Sequence, residues 1–299
     1  MIDSLVQPLI SIIVNCYNGG EFLSKALDSI KNQTYSNWEV IFWDNCSTDR
    51  SSEIFNSYSL NDIRFKYFLA PVHTILYEAR NFAVGKSNGE FIAFLDVDDW
   101  WTINKLETQI QCFKNEKIGL VCSSYYLFNI RNGKSTNKLI GPFPSGDVIS
   151  DLISNYFIHI STLMIKRDAI NKLSYICDPR FNIIGDLDLV IRLMQNWELH
   201  SIEEPLAYYR WHNNNTGYIT NYQISDELKI WVLENKSKFE HTDYFSKIES
   251  KAFWYEIVKS IYDDKKFYAL KLSYKLPFLK FIKVVLALML PNKIIRKYI

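Results

Sequence analysis

The first 110 residues alternate between short apolar runs and segments with helical spacing, and this alternation constrains the fold more than any other feature of the chain. Repeated alternation of strand and helix is typical of an α/β protein with a largely parallel sheet and helices on both of its faces. The predicted strands lie at residues 9–14, 39–43, 63–69 and 91–95, and the predicted helices at 21–33, 50–57 and 77–86.

A polar cluster follows three of the four predicted strands, at residues 15–18, 44–49 and 96–99. The carboxyl ends of parallel strands lie at the same edge of a sheet, and in open α/β sheets ligands bind in the crevice beyond that edge. We therefore expect these three clusters to line one ligand site, although they are far apart in the chain.

The third cluster is the most acidic. Residues 91–101 read FIAFLDVDDWW, a predicted buried strand that runs into Asp96, Asp98 and Asp99. Side chains alternate along an extended chain, so Asp96 and Asp98 are expected to point the same way. Carboxylates this close repel one another unless a cation lies among them, and hard oxygen ligands favour Mg²⁺ or Mn²⁺. The alternative is that Asp98 or Asp99 caps a helix beginning near Trp100.

Two further side chains of this region are candidates for contact with a bound nucleotide or phosphate. Asp44 ends the second predicted strand, where a carboxylate is suited to accept hydrogen bonds from a base or a ribose; its alternative role is to begin the turn at 44–49. Arg80 lies on an otherwise apolar predicted helix, and its planar guanidinium suits phosphate oxygens. Its alternative role is a surface salt bridge to Glu78 or Asp49.

The second half of the chain contributes two more candidates. Residues 185–193 read GDLDLVIRL and open a predicted helix with Asp186 and Asp188. A carboxylate there can act as general base for an acceptor hydroxyl, or simply favour the positive end of the helix dipole. His212 follows the strand-like run 205–209, where it can supply an imidazole ligand to the same metal; a purely structural role is the alternative.

Beyond residue 110 the pattern is less regular, and we expect three segments along the chain. They are a sheet domain at 1–220, a helical extension at 221–264 and a C-terminal tail at 265–299. Within the first segment, further strands are predicted at 118–130 and 161–165, and a polar loop at 131–145.

The tail is basic and apolar. Residues 265–299 carry nine basic and no acidic residues, whereas residues 1–264 carry 25 basic and 33 acidic ones, so the overall net charge of +1 conceals an asymmetry. The apolar run at 276–290 is interrupted by Lys280 and Lys283 and is too short to span a bilayer, which takes about 20 apolar residues. We expect peripheral binding to an anionic membrane surface or, alternatively, a helix packed on the domain.

Taken in order, four segments resemble the family 2 glycosyltransferases of the GT-A (nucleotide-diphospho-sugar transferase) fold. This resemblance implies a mainly parallel central sheet flanked by helices, with a C-terminal helical extension. It also implies a nucleotide-diphosphate-sugar donor, first of all a UDP-sugar, a Mn²⁺ or Mg²⁺ ion, and inverting transfer to a hydroxyl of a glycan or lipid-linked glycan acceptor. The segments are SIIVNCYNGGEFLSKALDSIKNQTYSNWEVIFWDNCSTD, EARNFAVGKSNGEFIAFLDVDDWW, GDLDLVIRL and YYRWH.

The resemblance carries roles over to the donor site. Asp44 matches an acid that contacts the nucleoside, Tyr17 lies in the loop that abuts the base, and Arg80 matches a donor-binding arginine. Asp96 and Asp98 form the Asp-X-Asp motif. In that motif Asp96 is implied to contact the ribose or sugar, and Asp98 to be a direct metal ligand.

Two later residues also match. Asp186 corresponds to the second residue of a Glu-Asp pair and is implied to be the catalytic base. His212 corresponds to a histidine near the metal and the diphosphate, and is implied to be a metal ligand. Gly185 departs from the pattern, because a glutamate usually precedes the catalytic aspartate.

Three departures lie in the expected base pocket and leave the identity of the base open. Asn15 replaces the usual proline before X-Tyr-Asn, Asn45 replaces a second aspartate, and Cys46 stands where glycine is common.

Other functions fit these residues less well. A sugar nucleotidyltransferase carries a basic, glycine-rich loop after its first strand, but residues 15–20 contain no lysine or arginine. A dinucleotide-dependent dehydrogenase needs Gly-X-Gly-X-X-Gly at the same place. The remaining alternative is a non-catalytic nucleotide-sugar-binding or scaffold protein that retains the fold. Nucleic acid is not an expected partner.

The cysteines and the N-terminus bear on location. The five cysteines show no metal-ligand spacing and lie mostly in apolar runs, which is typical of reduced thiols in a cytosolic protein. The N-terminus lacks the basic start of a signal peptide. We expect a cytoplasmic protein, peripheral on the inner face of the cell membrane if the tail binds there. The resemblance suggests cell-surface polysaccharide or lipopolysaccharide biosynthesis as its pathway.

Overall fold

The computed structural model describes residues 7–131, 134–212, 215 and 224–289. The chain forms two compact units. The sheet unit comprises Met1–Leu152 and Tyr156–His212, and the helical unit comprises Ile153–Asn155 and Asn213–Ile299. The expected boundaries at residues 220 and 264 stay predictions.

The start of the sheet unit follows the predicted alternation of strand and helix. Continuous apolar runs form the strands, and segments with apolar residues on one face form the helices. The elements are β1 (Ile10–Cys16), α1 (Gly20–Lys31), β2 (Trp38–Asp44), α2 (Ser51–Ser59), β3 (Phe65–Leu69), α3 (Leu76–Val84) and β4 (Phe91–Phe94).

The rest of the sheet unit corrects two expectations. The expected loop at 131–145 contains strand β7, whose exposed side chains show no alternation of apolar and polar residues. No helix begins at Trp100, because Trp100 and Trp101 form a short strand paired with β9. The elements are β5 (Trp100–Trp101), α4 (Lys105–Cys112), β6 (Ile118–Arg131), β7 (Lys134–Ile140), α5 (Ile149–Ser154), a 3₁₀ turn (Ile160–Thr162), β8 (Met164–Lys166), α6 (Arg167–Asn171), α7 (Gly185–Leu193) and β9 (Glu198–Trp211).

Over the described residues, nine strands form one sheet in the order β3-β2-β1-β4-β8-β6-β9-β5, with β7 paired on β6. Strands β3, β2, β1 and β4 run parallel. The register pairs Cys16 with Asp44 and Ile13 with Phe94, so the carboxyl ends of β1, β2 and β4 lie at one edge. This edge brings together the three polar clusters that are separated in sequence.

A dense apolar core holds this edge in place. On α1, the buried residues Leu23, Ala26, Leu27 and Ile30 have the i, i+3, i+4, i+7 spacing of one helix face. The rings of Phe42 on β2 and Phe55 on α2 stack with their centroids 4.2 Å apart. Each fully buried side chain of this size contributes about 1.5–3 kcal/mol to stability, so the core anchors the strand ends from which the polar residues project.

The helical unit consists of α8 (Ile224–Phe239), α9 (Asp243–Tyr262), α10 (Lys266–Ser273) and α11 (Phe278–Leu288). Its small core joins α9, α10 and α11 through Ile257, Ile261, Ala269 and Val284. The helix expected in the tail is therefore packed on its own unit by one face. Over the described residues, none of the helices is long and apolar enough to cross a bilayer.

Candidate active site

The acidic cluster after β4 lies at the carboxyl edge of the parallel strands. Asp96, Asp98 and Asp99 each offer a carboxylate oxygen, and these oxygens lie within 4.8 Å of one another. The side chains of Asp96 and Asp98 are 34% and 22% exposed, whereas that of Asp99 is fully buried. The sequence therefore located the cluster, and the structure distinguishes its members by their access to a ligand.

Asp99 has a structural role in the cluster. One carboxylate oxygen accepts a hydrogen bond from Ser161 Oγ at 2.5 Å, and the other accepts one from the backbone N–H of Arg210 at 3.0 Å. Burial raises the pKa of Asp99 well above its usual range, and the nearby charges of Asp98 and Asp96 raise it further. One oxygen thus ties the acidic loop to the 3₁₀ turn and the other ties it to β9, which leaves Asp96 and Asp98 to face a ligand.

Asp98 and His212 meet at the same place. His212 Nε2 lies 2.9 Å from Asp98 Oδ2, and the imidazole stacks on Phe22 with ring centroids 5.2 Å apart. Burial, followed by the charge of Asp96, raises the pKa of Asp98. The structure therefore brings together two residues that the sequence placed in one metal site although they are 114 positions apart.

Arg80 pairs with the first acid of the motif. Its guanidinium donates a hydrogen bond to Asp96 Oδ1 at 2.8 Å, and its side chain is only 4% exposed. The alternative of a surface salt bridge to Glu78 or Asp49 is therefore wrong. This buried arginine places positive charge beside the partly exposed carboxylate of Asp96.

The donor set fits a hard divalent cation. Two partly exposed carboxylates and an imidazole are ligands that Mg²⁺ and Mn²⁺ accept, and Asp98 and His212 already lie in contact. Burial first, and the charge of Asp96 second, raise the pKa of Asp98 and so disfavour its ionised form, which a bound cation would stabilise. Asp98, His212 and Asp96 are the residues that could hold the ion.

Asp44 and Tyr17 lie at the ends of neighbouring strands. Asp44 is buried, accepts a hydrogen bond from the backbone N–H of Ser47 at 2.8 Å and accepts a second from the hydroxyl of Tyr67 at 2.7 Å. Its role in the turn is thus observed. Tyr17 is 55% exposed, and its ring contacts that of His73 with centroids 4.3 Å apart. These two exposed rings form a surface on which a planar base could stack.

Asp186 lies in the first turn of α7. Its Oδ1 accepts hydrogen bonds from the Tyr77 hydroxyl at 3.2 Å and from the backbone N–H of Leu187 at 2.9 Å. Burial raises the pKa of Asp186. Asp188 instead forms a salt bridge of 2.8 Å with Arg192. The two acids of the GDLD segment therefore have different surroundings: Asp186 is partly exposed, whereas Asp188 is buried and paired with Arg192.

Sequence reasoning missed the aromatic residues around Asp186. A Cβ built on Gly185 would lie 2.6 Å from ring carbons of Tyr77, so this ring fills the space beside the glycine. The hydroxyl of Tyr156 is buried and has no hydrogen-bond partner among the described residues. The only signal in the sequence was the glycine at residue 185. It indicates that another group packs closely there, but not which residue supplies that group.

A well-formed cavity of the sheet unit does not coincide with these residues. It measures about 510 Å³, lies between α1 and α2, and is lined by residues such as Asp28, Arg50 and Tyr58. None of the predicted site residues lines it. We place the candidate site at the acidic edge because carboxylates, a buried arginine and an imidazole converge there.

Comparison with known protein families identifies the class of the chain. The model of the family described as Glycosyl transferase family 2 matches residues 11–174, which is more than half of the chain. The chain belongs to glycosyl transferase family 2. It is a glycosyltransferase, as the resemblance predicted, and inversion at the anomeric carbon is consistent with this membership.

Individual relatives agree with this assignment. The chain is 29% identical over 228 residues to TuaG of Bacillus subtilis (strain 168), named provisionally as a teichuronic acid biosynthesis glycosyltransferase; the match covers 76% of this chain and 87% of that protein. It is 32% identical over 169 residues to WfgD of Escherichia coli, a UDP-Glc:alpha-D-GlcNAc-diphosphoundecaprenol beta-1,3-glucosyltransferase. That match covers 56% of this chain and 64% of WfgD.

Solved structures show the fold. Residues 1–349 of TarS from S. aureus superpose with a TM-score of 0.66 at 15% identity, covering 93% of this chain and 81% of that one. The mannosyltransferase PcManGT from Pyrobaculum calidifontis, in complex with GDP-Man and Mn²⁺, gives a TM-score of 0.62 at 16% identity over 98% and 85% of the two chains. The predicted GT-A fold, with its helix-flanked sheet, is confirmed.

Proposed function

We propose that this chain transfers a sugar from a nucleotide-diphosphate donor to a hydroxyl of a glycan or lipid-linked glycan, with inversion and with a divalent metal. The observation that carries this proposal is the position of α3 between two acidic groups. From this one helix, Arg80 contacts Asp96 and Tyr77 contacts Asp186. Helix α3 thus connects the acidic edge, where the donor would bind, to the carboxylate of Asp186, which would be the base. A transferase requires separate groups for these two roles.

The donor would bind along the carboxyl edge. Tyr17 would offer its exposed ring to the base, and Asp44, at the end of β2, would contact the nucleoside after exchange of its present hydrogen bonds. Asp96 would contact the ribose or the sugar, and Arg80, which now pairs with Asp96, would contact the phosphates. Charge-assisted hydrogen bonds of this kind are the strong ones in a partly buried site.

Asp98 and His212 would hold the metal. The bound ion supplies charge neutralisation for the leaving diphosphate, acting as a Lewis acid. The protein contributes the fixed spacing of these two groups, which the stacking of Phe22 on His212 and the anchoring of Asp99 maintain.

Asp186 would act as the general base. Its carboxylate takes the proton of the acceptor hydroxyl while the hydroxyl oxygen forms a bond to the anomeric carbon and the bond from that carbon to the diphosphate breaks. Burial raises the pKa of Asp186, which brings its basicity closer to that of a useful proton acceptor at neutral pH. Attack from the face opposite the leaving group inverts the configuration.

The relatives suggest a substrate class. WfgD is named for a UDP-glucose donor and a diphosphoundecaprenol-linked acceptor, whereas PcManGT was crystallised with GDP-mannose. We therefore propose a sugar nucleotide with a UDP-sugar as the first candidate, and an acceptor in cell-surface polysaccharide biosynthesis. Such an acceptor would place the protein at the cytoplasmic face of the membrane, with residues 265–299 as the contact.

Turnover of a sugar-nucleotide panel tests the proposal. Release of nucleoside diphosphate is measured with wild type, Asp186→Asn and the matched control Asp168→Asn, which changes an exposed aspartate in the first turn of α6. We expect Asp186→Asn to lose turnover while keeping donor binding, and the control to behave as wild type. Loss of donor binding in Asp186→Asn would place this residue in the donor site. If no donor is turned over, with or without added metal, a non-catalytic binding protein is favoured.

A further inference from the structure

The helical unit contains a basic cavity of about 470 Å³. The described residues that line it include three lysines and no carboxylate. Lys247 and Lys251 lie one turn apart on α9, and Lys280 reaches the cavity from α11. Like charges at this helical spacing repel one another. The other lining side chains are polar or aromatic: Ser154, Ser246, Ser250, Trp254 and Tyr255.

Two of these lysines are held close to the cavity wall. Lys251 is half-buried, and burial lowers the pKa of its ammonium group. Lys280 Nζ lies 5.8 Å from the centroid of the Trp254 ring. A partly buried ammonium group is unfavourable unless an anion compensates it, so the cavity has the electrostatic character of an anion site.

Helix α11, which contributes Lys280 to the cavity, also carries exposed apolar side chains. Phe278 and Leu279 precede Lys280 directly and are 74% and 75% exposed, and Leu286, two turns beyond Leu279 on the same face, is 57% exposed. The opposite face of α11 is packed through Val284. A basic cavity next to an exposed apolar helix face suits an amphiphile with an anionic head.

We propose that this cavity binds the phosphate group of a lipid, whose apolar chain lies along the exposed face of α11. The volume is within the range of sites for small ligands, and lysine ammonium and serine hydroxyl groups donate to phosphate oxygens. Two lipids present this chemistry: an anionic phospholipid and a prenyl diphosphate that carries a glycan. With an anionic phospholipid the cavity is a membrane-contact site independent of the transfer reaction, whereas with a prenyl diphosphate it is a site for the acceptor's carrier and rests on the proposed function.

Variants with equal charge changes test the pocket. Lys251→Gln/Lys280→Gln removes two lining lysines, and Lys271→Gln/Lys275→Gln removes two lysines of the same basic segment that do not line the cavity. Binding is measured by co-sedimentation with phosphatidylcholine vesicles with and without phosphatidylglycerol, and by calorimetry with farnesyl diphosphate and with pyrophosphate. We expect the cavity variant, which loses charge-assisted hydrogen bonds to the phosphate, to bind about 30-fold more weakly than wild type, and the control, which loses only exposed charge, to lose much less.

The vesicle and calorimetry experiments distinguish an anionic phospholipid from a prenyl diphosphate. Loss confined to vesicles assigns an anionic phospholipid, and loss confined to farnesyl diphosphate assigns the prenyl carrier. Tighter binding of farnesyl diphosphate than of pyrophosphate supports the apolar contribution of α11. Lys251→Arg/Lys280→Arg keeps both charges and should keep binding. Equal loss in both glutamine variants, or no binding by wild type in either arm, would overturn the proposal.

A separate observation concerns the side chain that fills the space beside Gly185. The ring of Tyr77 occupies the place of any Cβ at that position, its hydroxyl lies 3.2 Å from Asp186 Oδ1, and its ring centroid lies 5.1 Å from the guanidinium carbon of Arg80. We infer that Tyr77 is a positioning residue for Asp186, holding the carboxylate in one orientation and linking it to α3. This inference rests on the proposed role of Asp186 as the base.

The hydrogen bond from Tyr77 also affects the charge of Asp186. Burial raises the pKa of this carboxyl, whereas the charge of Arg80 and the Tyr77 hydrogen bond lower it. Tyr156 and Cys177 also face this network and interact with Asp186. Removing the Tyr77 hydroxyl should therefore raise the pKa of Asp186 and move the acidic limb of the pH–rate profile to higher pH.

Tyr77→Phe tests this role while keeping the ring beside Gly185. Tyr35→Phe is the control, because the hydroxyl of this buried tyrosine bonds to the carbonyl of Pro8 instead. We expect Tyr77→Phe to lower kcat about tenfold with the donor KM unchanged, and to shift the acidic limb. If Asp186→Asn is inactive and Tyr77→Phe keeps the wild-type kcat and profile, the positioning role is wrong. If Asp186→Asn stays active, the proposed function itself fails.

Discussion

Replacing Gly185 with alanine should destabilise the sheet unit, because the new methyl group would collide with a buried ring. The added Cβ would lie 2.6 Å from carbons of Tyr77, well inside the optimal carbon–carbon separation of about 3.5–4.0 Å. Tyr77 is 4% exposed and is tied by its hydroxyl to Asp186, so its ring has little room to move. Overpacking of this kind costs about 1–3 kcal/mol.

Gly85→Ala is the matched control. Gly85 follows α3 with φ −62°, a conformation that alanine adopts without strain, and its Cβ would make only contacts of 3.4 Å with backbone oxygens. Unfolding is followed by urea titration and by heating. We expect Gly185→Ala to lower the melting temperature by about 2–12 °C, since 1 kcal/mol corresponds to about 2–4 °C for a unit of this size. Gly85→Ala should leave it unchanged or slightly higher.

A double-mutant cycle connects the effect to its cause. In a Tyr77→Ala background the space beside Gly185 is free, so adding Gly185→Ala should cost little, and the two changes should show a coupling of about 1–3 kcal/mol. If Gly185→Ala is as stable as wild type, or if its cost is the same with and without the Tyr77 ring, the close contact does not determine the residue at this position.

Three further predictions concern stability and the metal. Phe55→Ala should lower the free energy of unfolding by about 3–5 kcal/mol, measured by urea titration, because it removes a fully buried ring stacked on β2. Burial would raise the pKa of Glu39, but hydrogen bonds, first that of Lys66, hold this pKa below its usual value. The stability that the carboxylate adds is therefore present above the unfolded pKa of about 4.3 and is lost as the pH falls through the folded pKa. The stability difference between wild type and Glu39→Gln should accordingly shrink from pH 7 to pH 3, and a constant difference would contradict this. Chelation of divalent metal should abolish turnover and added Mn²⁺ or Mg²⁺ should restore it; turnover that survives chelation would remove the metal from the proposed function.

The sequence was most informative where burial leaves a continuous pattern. Strands β1, β2 and β4 are buried on both faces, so they appear as mainly apolar runs, broken only by Ser11 and Glu39, that end in polar clusters. Strand β7 was missed because its described side chains are exposed and carry no alternation. The two-residue strand β5 is too short to produce any pattern, and its pairing with β9 depends on contacts between distant segments.

In the candidate site, too, some features could be predicted from the sequence and others depend on tertiary packing. The spacing of Asp96 and Asp98 indicated a shared ligand, but nothing in the sequence distinguished the buried Asp99 from its neighbours. Arg80 contacts Asp96, 16 positions away, and Tyr77 contacts Asp186, 109 positions away. Such contacts depend on the folded sheet and leave no local pattern in the sequence. Local pattern therefore predicts which chemistry is present, whereas tertiary packing decides which groups are exposed, paired or held in place.

A thermal-shift panel is the most direct test of the central claim that the acidic edge binds a nucleotide diphosphate with a metal. UDP, GDP, CDP and their common sugars are each added with and without Mn²⁺ to wild type and to Asp98→Ala. We expect one nucleotide to stabilise wild type only when Mn²⁺ is present, with the shift lost in Asp98→Ala. No shift with any nucleotide, or an equal shift in the variant, would contradict the assignment of this site.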